Sequence, residues 1–109
     1  MASTTGPLAN GQLPIVQDVL YRCPDNVRWI VVDFQNYVNS NLSSVTVNIY
    51  KRKRNQTARL LSPKDLELGA GFRLDYGDES HKLTPGDTIE GVASNTGVDF
   101  IIDGITTSS

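Results

Sequence analysis

Val27-Arg28-Trp29-Ile30-Val31-Val32-Asp33-Phe34-Gln35-Asn36-Tyr37-Val38 is the strongest strand signal in the chain, and its reading decides the fold. Ile30, Val32 and Phe34 share one face at a period of two, while Trp29 and Val31 open the other before Asp33 and Gln35 turn it polar. A helix would need apolar residues at intervals of three and four. No window of about 11 residues anywhere in the chain carries such a stripe.

Working outward, Asn39-Ser40-Asn41 reads as a turn, after which Val45, Val47 and Ile49 alternate with Thr46, Asn48 and Tyr50. That alternation marks a half-buried strand with one wet side, and the pair is expected to form a hairpin. Upstream, Ile15 to Arg22 reads as a first strand ended by Cys23-Pro24-Asp25-Asn26. Downstream, Ala58 to Leu61 resumes the β pattern and Ser62-Pro63-Lys64-Asp65 turns. Leu66 and Leu68 then alternate, and Phe72, Leu74 and Tyr76 follow beyond Gly69-Ala70-Gly71. Pro85 and Gly86 sit at the two central positions of a type II turn. Ile89 to Ser94 and Val98 to Ile105 are expected as a closing hairpin around Asn95-Thr96-Gly97. Seven or eight short strands of this kind predict an antiparallel β-sandwich, jelly-roll-like or immunoglobulin-like, and the lack of a Cys-Trp-Cys pattern favours the jelly roll. Met1 to Pro14 is small, polar and without a period, so it is expected as an extended arm (residues 1–14) ahead of the sandwich domain (15–109).

The chain is 109 residues long, about the size of one domain. Ten basic against 12 acidic residues leave a net charge of -2, so there is no domain-wide basic field to attract nucleic acid. A single cysteine makes no internal disulfide, and no apolar run approaches the ~20 residues that span a bilayer. Met1 to Asn10 lacks the basic start and apolar stretch of a secretory signal, so the expectation is a reduced domain made in the cytoplasm. The apolar share, 39%, lies below the ~45–50% usual for globular chains, and packing against other subunits is one way to make up the shortfall.

No catalytic constellation emerges. His81 has no serine or cysteine that the strand pattern would bring beside it, and Cys23 reads as a small buried hydrophobe. Asp75, Asp78 and Glu79 surround Gly77, but their spacing matches no calcium loop. Gly69-Ala70-Gly71 leads into a strand, where a phosphate cradle would lead into a helix. Asn41-Leu42-Ser43 and Asn55-Gln56-Thr57 match the glycosylation tripeptide and carry no weight without a secretory signal. No cofactor or metal is expected. Two features suggest contact with other proteins: the basic run Lys51-Arg52-Lys53-Arg54, two of whose side chains should point to each sheet face, and Trp29, which beside Val31 would leave an apolar patch unless something covers it.

The segments Val19-Leu20-Tyr21-Arg22-Cys23-Pro24, Val27-Arg28-Trp29-Ile30-Val31-Val32, Val45-Thr46-Val47-Asn48-Ile49-Tyr50, Leu66-Glu67-Leu68-Gly69-Ala70-Gly71 and Leu83-Thr84-Pro85-Gly86-Asp87-Thr88-Ile89 follow in an order that resembles small β-sandwich structural proteins of tailed bacteriophages. These include capsid decoration (cement) proteins and tail or fibre components. The resemblance implies a non-enzymatic virion protein, on the phage head, that self-associates as dimers or trimers. It would bind the major capsid protein or other virion proteins, with no direct nucleic acid and no membrane. The expected contacts are Leu8 and Leu13 in the arm, Trp29, and Lys51, Arg52, Lys53 and Arg54. The alternative it leaves open is a carbohydrate-binding module of a tail fibre or adhesin, with Tyr21, Tyr37, Tyr50 and Tyr76 as candidate stacking residues.

Overall fold

Residues 3–76 and 79–108 are described by the computed structural model, and they form strands without a helix. In chain order these are β1 (Ser3–Gln12), β2 (Asp18–Arg22), β3 (Val27–Asn39), β4 (Val45–Arg52), β5 (Arg59–Leu60), β6 (Leu66–Leu68), β7 (Arg73–Asp75), β8 (His81–Leu83), β9 (Thr88–Ala93) and β10 (Val98–Ser108). At about 3.3 Å per residue, the 13 residues of β3 alone nearly span the 46 Å long axis of the molecule.

The strands build two antiparallel sheets, one ordered β1-β10-β3 with β7 and β8 on the far side, the other β2-β9-β4 with β5 and β6. β5 and β6 pair with successive stretches of β4, and β7 and β8 with successive stretches of β3, so each couple is one edge strand broken in the middle. Counting each couple once, the orders become 1-8-3-6 and 2-7-4-5, which is the jelly-roll arrangement. The protein is therefore an all-β, jelly-roll-like sandwich. Ile30, Val32, Tyr37, Phe100 and Ile102 from one sheet meet Val45, Val47, Ile49, Ile89 and Ala93 from the other.

Neither expected hairpin forms. β3 and β4 lie in different sheets, and so do β9 and β10, so Asn39-Ser40-Asn41 and Asn95-Thr96-Gly97 are corners that carry the chain across the sandwich. The turn residues are the same in both cases, but here the two strands bury apolar rows against each other across the core. The two corners also lean together: Ser40 N–H and Oγ both donate to the Gly97 carbonyl, and Asn41 Nδ2 donates to the Thr96 carbonyl. The turn at Thr84-Pro85-Gly86-Asp87 is as expected, with Asp87 N–H donating to the Thr84 carbonyl over 2.9 Å and Gly86 at φ 91°.

The arm is extended and belongs to the sandwich. Ser3–Gln12 pairs along β10 of the same chain, from Ser3 opposite Thr107 to Gln12 opposite Asp99. Its small residues conceal the strand, because Gly6 and Gly11 share a face with Ala9 and carry no side chain to show the alternation.

Both neighbours of β10 bulge at the same level. Leu8 is the extra residue in β1 and Asp33 the extra residue in β3, each opposite the Ile102-Asp103-Gly104 stretch. A Cβ at Gly104 would collide with the Val31 carbonyl oxygen and lie 2.8 Å from Leu8 Cδ1, so only glycine fits. The Asp33 bulge also flips the alternation of β3. Ile30 and Val32 face the core as expected, but Phe34 falls out of that row, and Gln35, Tyr37 and Asn39 take the inward places. Of the two buried amides, Gln35 is half used: its Oε1 accepts from Tyr37 Oη at 2.6 Å, while its Nε2 has no hydrogen-bond partner among the described residues. Asn39 Nδ2 donates to the carbonyls of Ser43 and Leu68, each at 2.9 Å. Asn39 Oδ1 accepts the Asn41 N–H, which ties the β3–β4 corner to the loop after β6.

Gly104→Ala is expected to destabilise the fold by about 3 kcal/mol through overpacking, whereas Gly6→Ala, whose added Cβ meets nothing within 4 Å, should cost under ~1 kcal/mol. Asn39→Ala, which leaves several buried carbonyls without a donor, should cost roughly 2–4 kcal/mol. Urea unfolding of the three variants against the parent checks all three figures.

Candidate functional site

The basic run is divided by the end of β4. Lys51 continues the inward row of Val45, Val47 and Ile49 and lies half-buried at the mouth of the sandwich, where desolvation and then Lys53 push its pKa down. Arg52 points to the outer face, and Lys53 and Arg54 are exposed on the loop that follows. The expectation of two side chains on each face holds for Lys51 and Arg52 and stops where the strand does.

On that outer face three adjacent strands set Arg22, Thr88 and Arg52 side by side, since Arg22 pairs with Thr88 and Thr88 with Arg52. Glu90 lies two residues along β9. It accepts from Arg52 Nε at 2.7 Å, Thr88 Oγ1 at 2.8 Å and Gln17 Nε2 at 3.0 Å. These contacts, the Arg52 bond first, hold the Glu90 carboxyl below its ordinary pKa against the cost of burial. Both Thr88 and Glu90 are only 5% exposed although they face outward, so they floor a recess. That recess is a concavity of about 480 Å³, rimmed by Arg22, Arg54, Asn55, Asp18 and Val19.

The far wall is held by Asp87. Burial works against its charge, but the Thr84 and Arg54 N–H groups and the Thr84 hydroxyl outweigh it and lower its pKa. Arg54 also lies across Gly86, where an added Cβ would stand 2.7 Å from Arg54 Cδ, and Asn55 turns the chain at φ 61°.

The other expected contacts are placed differently. Leu13 is 2% exposed in the core, with its N–H donating to the Val98 carbonyl, so it has no surface to offer a partner. Leu8, the β1 bulge residue, is partly buried against that core. Trp29 is half-buried on the outer face of the β1-β10-β3 sheet, with Lys82 Nζ 4.4 Å and Arg28 Cζ 5.0 Å from its ring centroid. Two cations thus cover the expected apolar patch. Tyr37 and Tyr76 are buried and meet edge to face, and Tyr21 and Tyr50 are half-buried, so the tyrosines form no exposed stacking platform.

Cys23 is fully buried, and burial first, then Asp87 and Asp25, push its thiol pKa up, the reverse of an activated thiolate. His81 lies inside the sandwich mouth, against the Tyr76 ring edge and 3.6 Å from Glu79 Oε2. Of the acidic turn read in the sequence, Gly77 and Asp78 lie outside the described residues. Among the described residues, no three His, Cys, Asp or Glu side chains converge as metal ligands.

The sheet edges differ in kind. Edges β5/β6 and β7/β8 are broken into two- and three-residue pieces, and β2 is five residues long. Edge β1 runs for ten residues. Leu13 N–H points to β10, so by alternation the N–H groups of Asn10 and Gln12 point to the open side. Ile15 and Val16, 61% and 73% exposed, follow directly.

No protein-family model matches this sequence, and no curated protein is significantly similar to it. Among solved structures, the chain is similar to a protein of the Bacillus endospore appendages, described as a novel family of disulfide-linked pili. The TM-score is 0.57 at 9% sequence identity, over 98% of this chain and 87% of that one. At that identity the likeness speaks for the fold, and it is consistent with the sandwich described above.

The recess escaped the reading of the sequence. Its one linear signal is Glu90, a lone carboxylate inside the otherwise apolar Ile89–Ala93 strand.

His81 yields a pH prediction. Burial, then Lys51, lowers its pKa from the ordinary 6.5, and Glu79 only partly offsets them. The folded state therefore disfavours the proton that the unfolded chain takes up, so stability falls as pH drops through 6.5. Asp87 and Glu90, with depressed values, lose their contribution only at lower pH. Thermal melts should show a falling midpoint between about pH 7 and 5.5, and His81→Gln should flatten that part of the profile.

Proposed function

We propose that this chain is a non-catalytic structural subunit that adds to a multi-chain assembly through the open edge of β1. The observation that carries the reading is the contrast among edges. Proteins that stay monomeric shorten, break or charge their edge strands, and three of the edges here are short or broken, while β1 runs for ten residues and carries its proline and bulge only in the middle, at Pro7 and Leu8. Pro7 divides this edge, so a partner strand would pair along Ala9 to Gln12 and cover Ile15 and Val16 beside it.

The resemblance to phage decoration proteins supplies the setting: copies associate as dimers or trimers on the head and bridge neighbouring capsid subunits. Each contact is modest and their number on a shell makes the reinforcement large. The low apolar fraction and the absence of a catalytic grouping in the sequence agree with work of this mechanical kind.

Light scattering of the purified chain tests the proposal. The parent should associate at micromolar concentration. Asn10→Pro, which removes an N–H on the open side and spares the ladder to β10, should be monomeric with a melting temperature within a few degrees of the parent. A parent that stays monomeric at about 100 µM, or an Asn10→Pro chain that associates as well as the parent, overturns it.

A further inference from the structure

We propose that the arginine-lined recess on the outer face of the β2-β9-β4 sheet binds an acidic sugar, a carboxylated monosaccharide unit of a glycan. The recess is built rather than incidental. Its floor, Thr88 and Glu90, is sunk below the surface and fully hydrogen-bonded, and Glu90 uses Arg52 as its counter-ion. That leaves Arg22 and Arg54 on the rim, with no side-chain partner for either guanidinium among the described residues. Arg54 is held in place by its main-chain bond to Asp87 and by the packing of its stem over Gly86, so ordering it on binding costs little. Two arginines on the rim of one concavity make a site suited to a carboxylate or other oxyanion.

The rest of the lining narrows the ligand. Asp18 stands on the same rim with one oxygen accepting the Val19 N–H, which leaves the other open as an acceptor. Free phosphate at neutral pH has only one or two hydroxyl donors for that carboxylate and concentrates its negative charge on the other oxygens close by, so it suits the rim less well. A ligand bearing hydroxyl donors beside its anionic group satisfies Asp18 and the arginines together, and the Asn55 amide and Gln17 Oε1 offer further partners to hydroxyls. The lining holds no aromatic residue, which argues against a nucleobase, and about 480 Å³ is within the range of small-molecule sites. Anionic charge together with several hydroxyls describes a uronic or comparable sugar acid.

Calorimetric titration of the full chain with glucuronate-bearing and sialylated oligosaccharides tests this, with the neutral parent sugars, inorganic phosphate and an Asp/Glu peptide as comparison arms. Acidic sugars should bind and weaken with added salt, and neutral parents should not. Arg22→Gln and Arg54→Gln should each reduce affinity by about tenfold while leaving the melting temperature unchanged. The inference is overturned if no acidic sugar binds at millimolar concentration, if both variants bind as the parent does, or if phosphate or the acidic peptide binds as tightly as the sugar. Association through β1 is measured separately, so either result can fail without the other.

Discussion

The packing of the Val31 carbonyl and the Leu8 side chain against Gly104 is the constraint on which the rest of the structure depends. With no side chain there, β10 admits the Val31 carbonyl from one side and Leu8 from the other, and each neighbouring strand absorbs one extra residue at that level. The consequence runs along β3. Past Asp33 its inward row changes from aliphatic to Gln35, Tyr37 and Asn39, and Asn39 is thereby delivered to the corner where the chain leaves the sheet. A strand that kept strict alternation would send Asn39 to solvent and leave the carbonyls of Ser43 and Leu68 without that donor.

Much of the fold was legible because it rests on local chemistry. Alternation in Val45–Tyr50, the absence of any helical stripe and the Pro85-Gly86 turn each depend on neighbours in the chain, and each appears as read. What was not legible depends on residues far apart. A turn such as Asn39-Ser40-Asn41 says that the chain reverses, but whether the next strand hydrogen-bonds beside the last or packs across the core is decided by which apolar rows face each other. β1 was hidden because two of the positions on one of its faces are glycines, Gly6 and Gly11, which leave no alternation to read. The recess was hidden for a sharper reason: Arg22, Thr88 and Arg52 come from three strands, and only their register makes them a row. The basic run was conspicuous in sequence, yet the strand end gave each of its members a different surrounding.

Cys23 is fully buried. The association proposed through β1 would therefore be held without a disulfide and would be reversible, with its extent set by concentration and, for the charged surroundings, by salt.

The placement of β10 has a kinetic side. Gln12 meets Asp99, 87 residues later, so at synthesis rates of about 5–20 residues per second β1 has left the ribosome roughly 4 to 17 seconds before its partner strand exists. For that interval it is a lone strand among other nascent chains, where a greasy sequence would nucleate aggregates. A serine, two threonines, two glycines and an asparagine with a proline in their midst give it little reason to stick to anything until β10 emerges, which accounts for a composition that looks too bland for a strand.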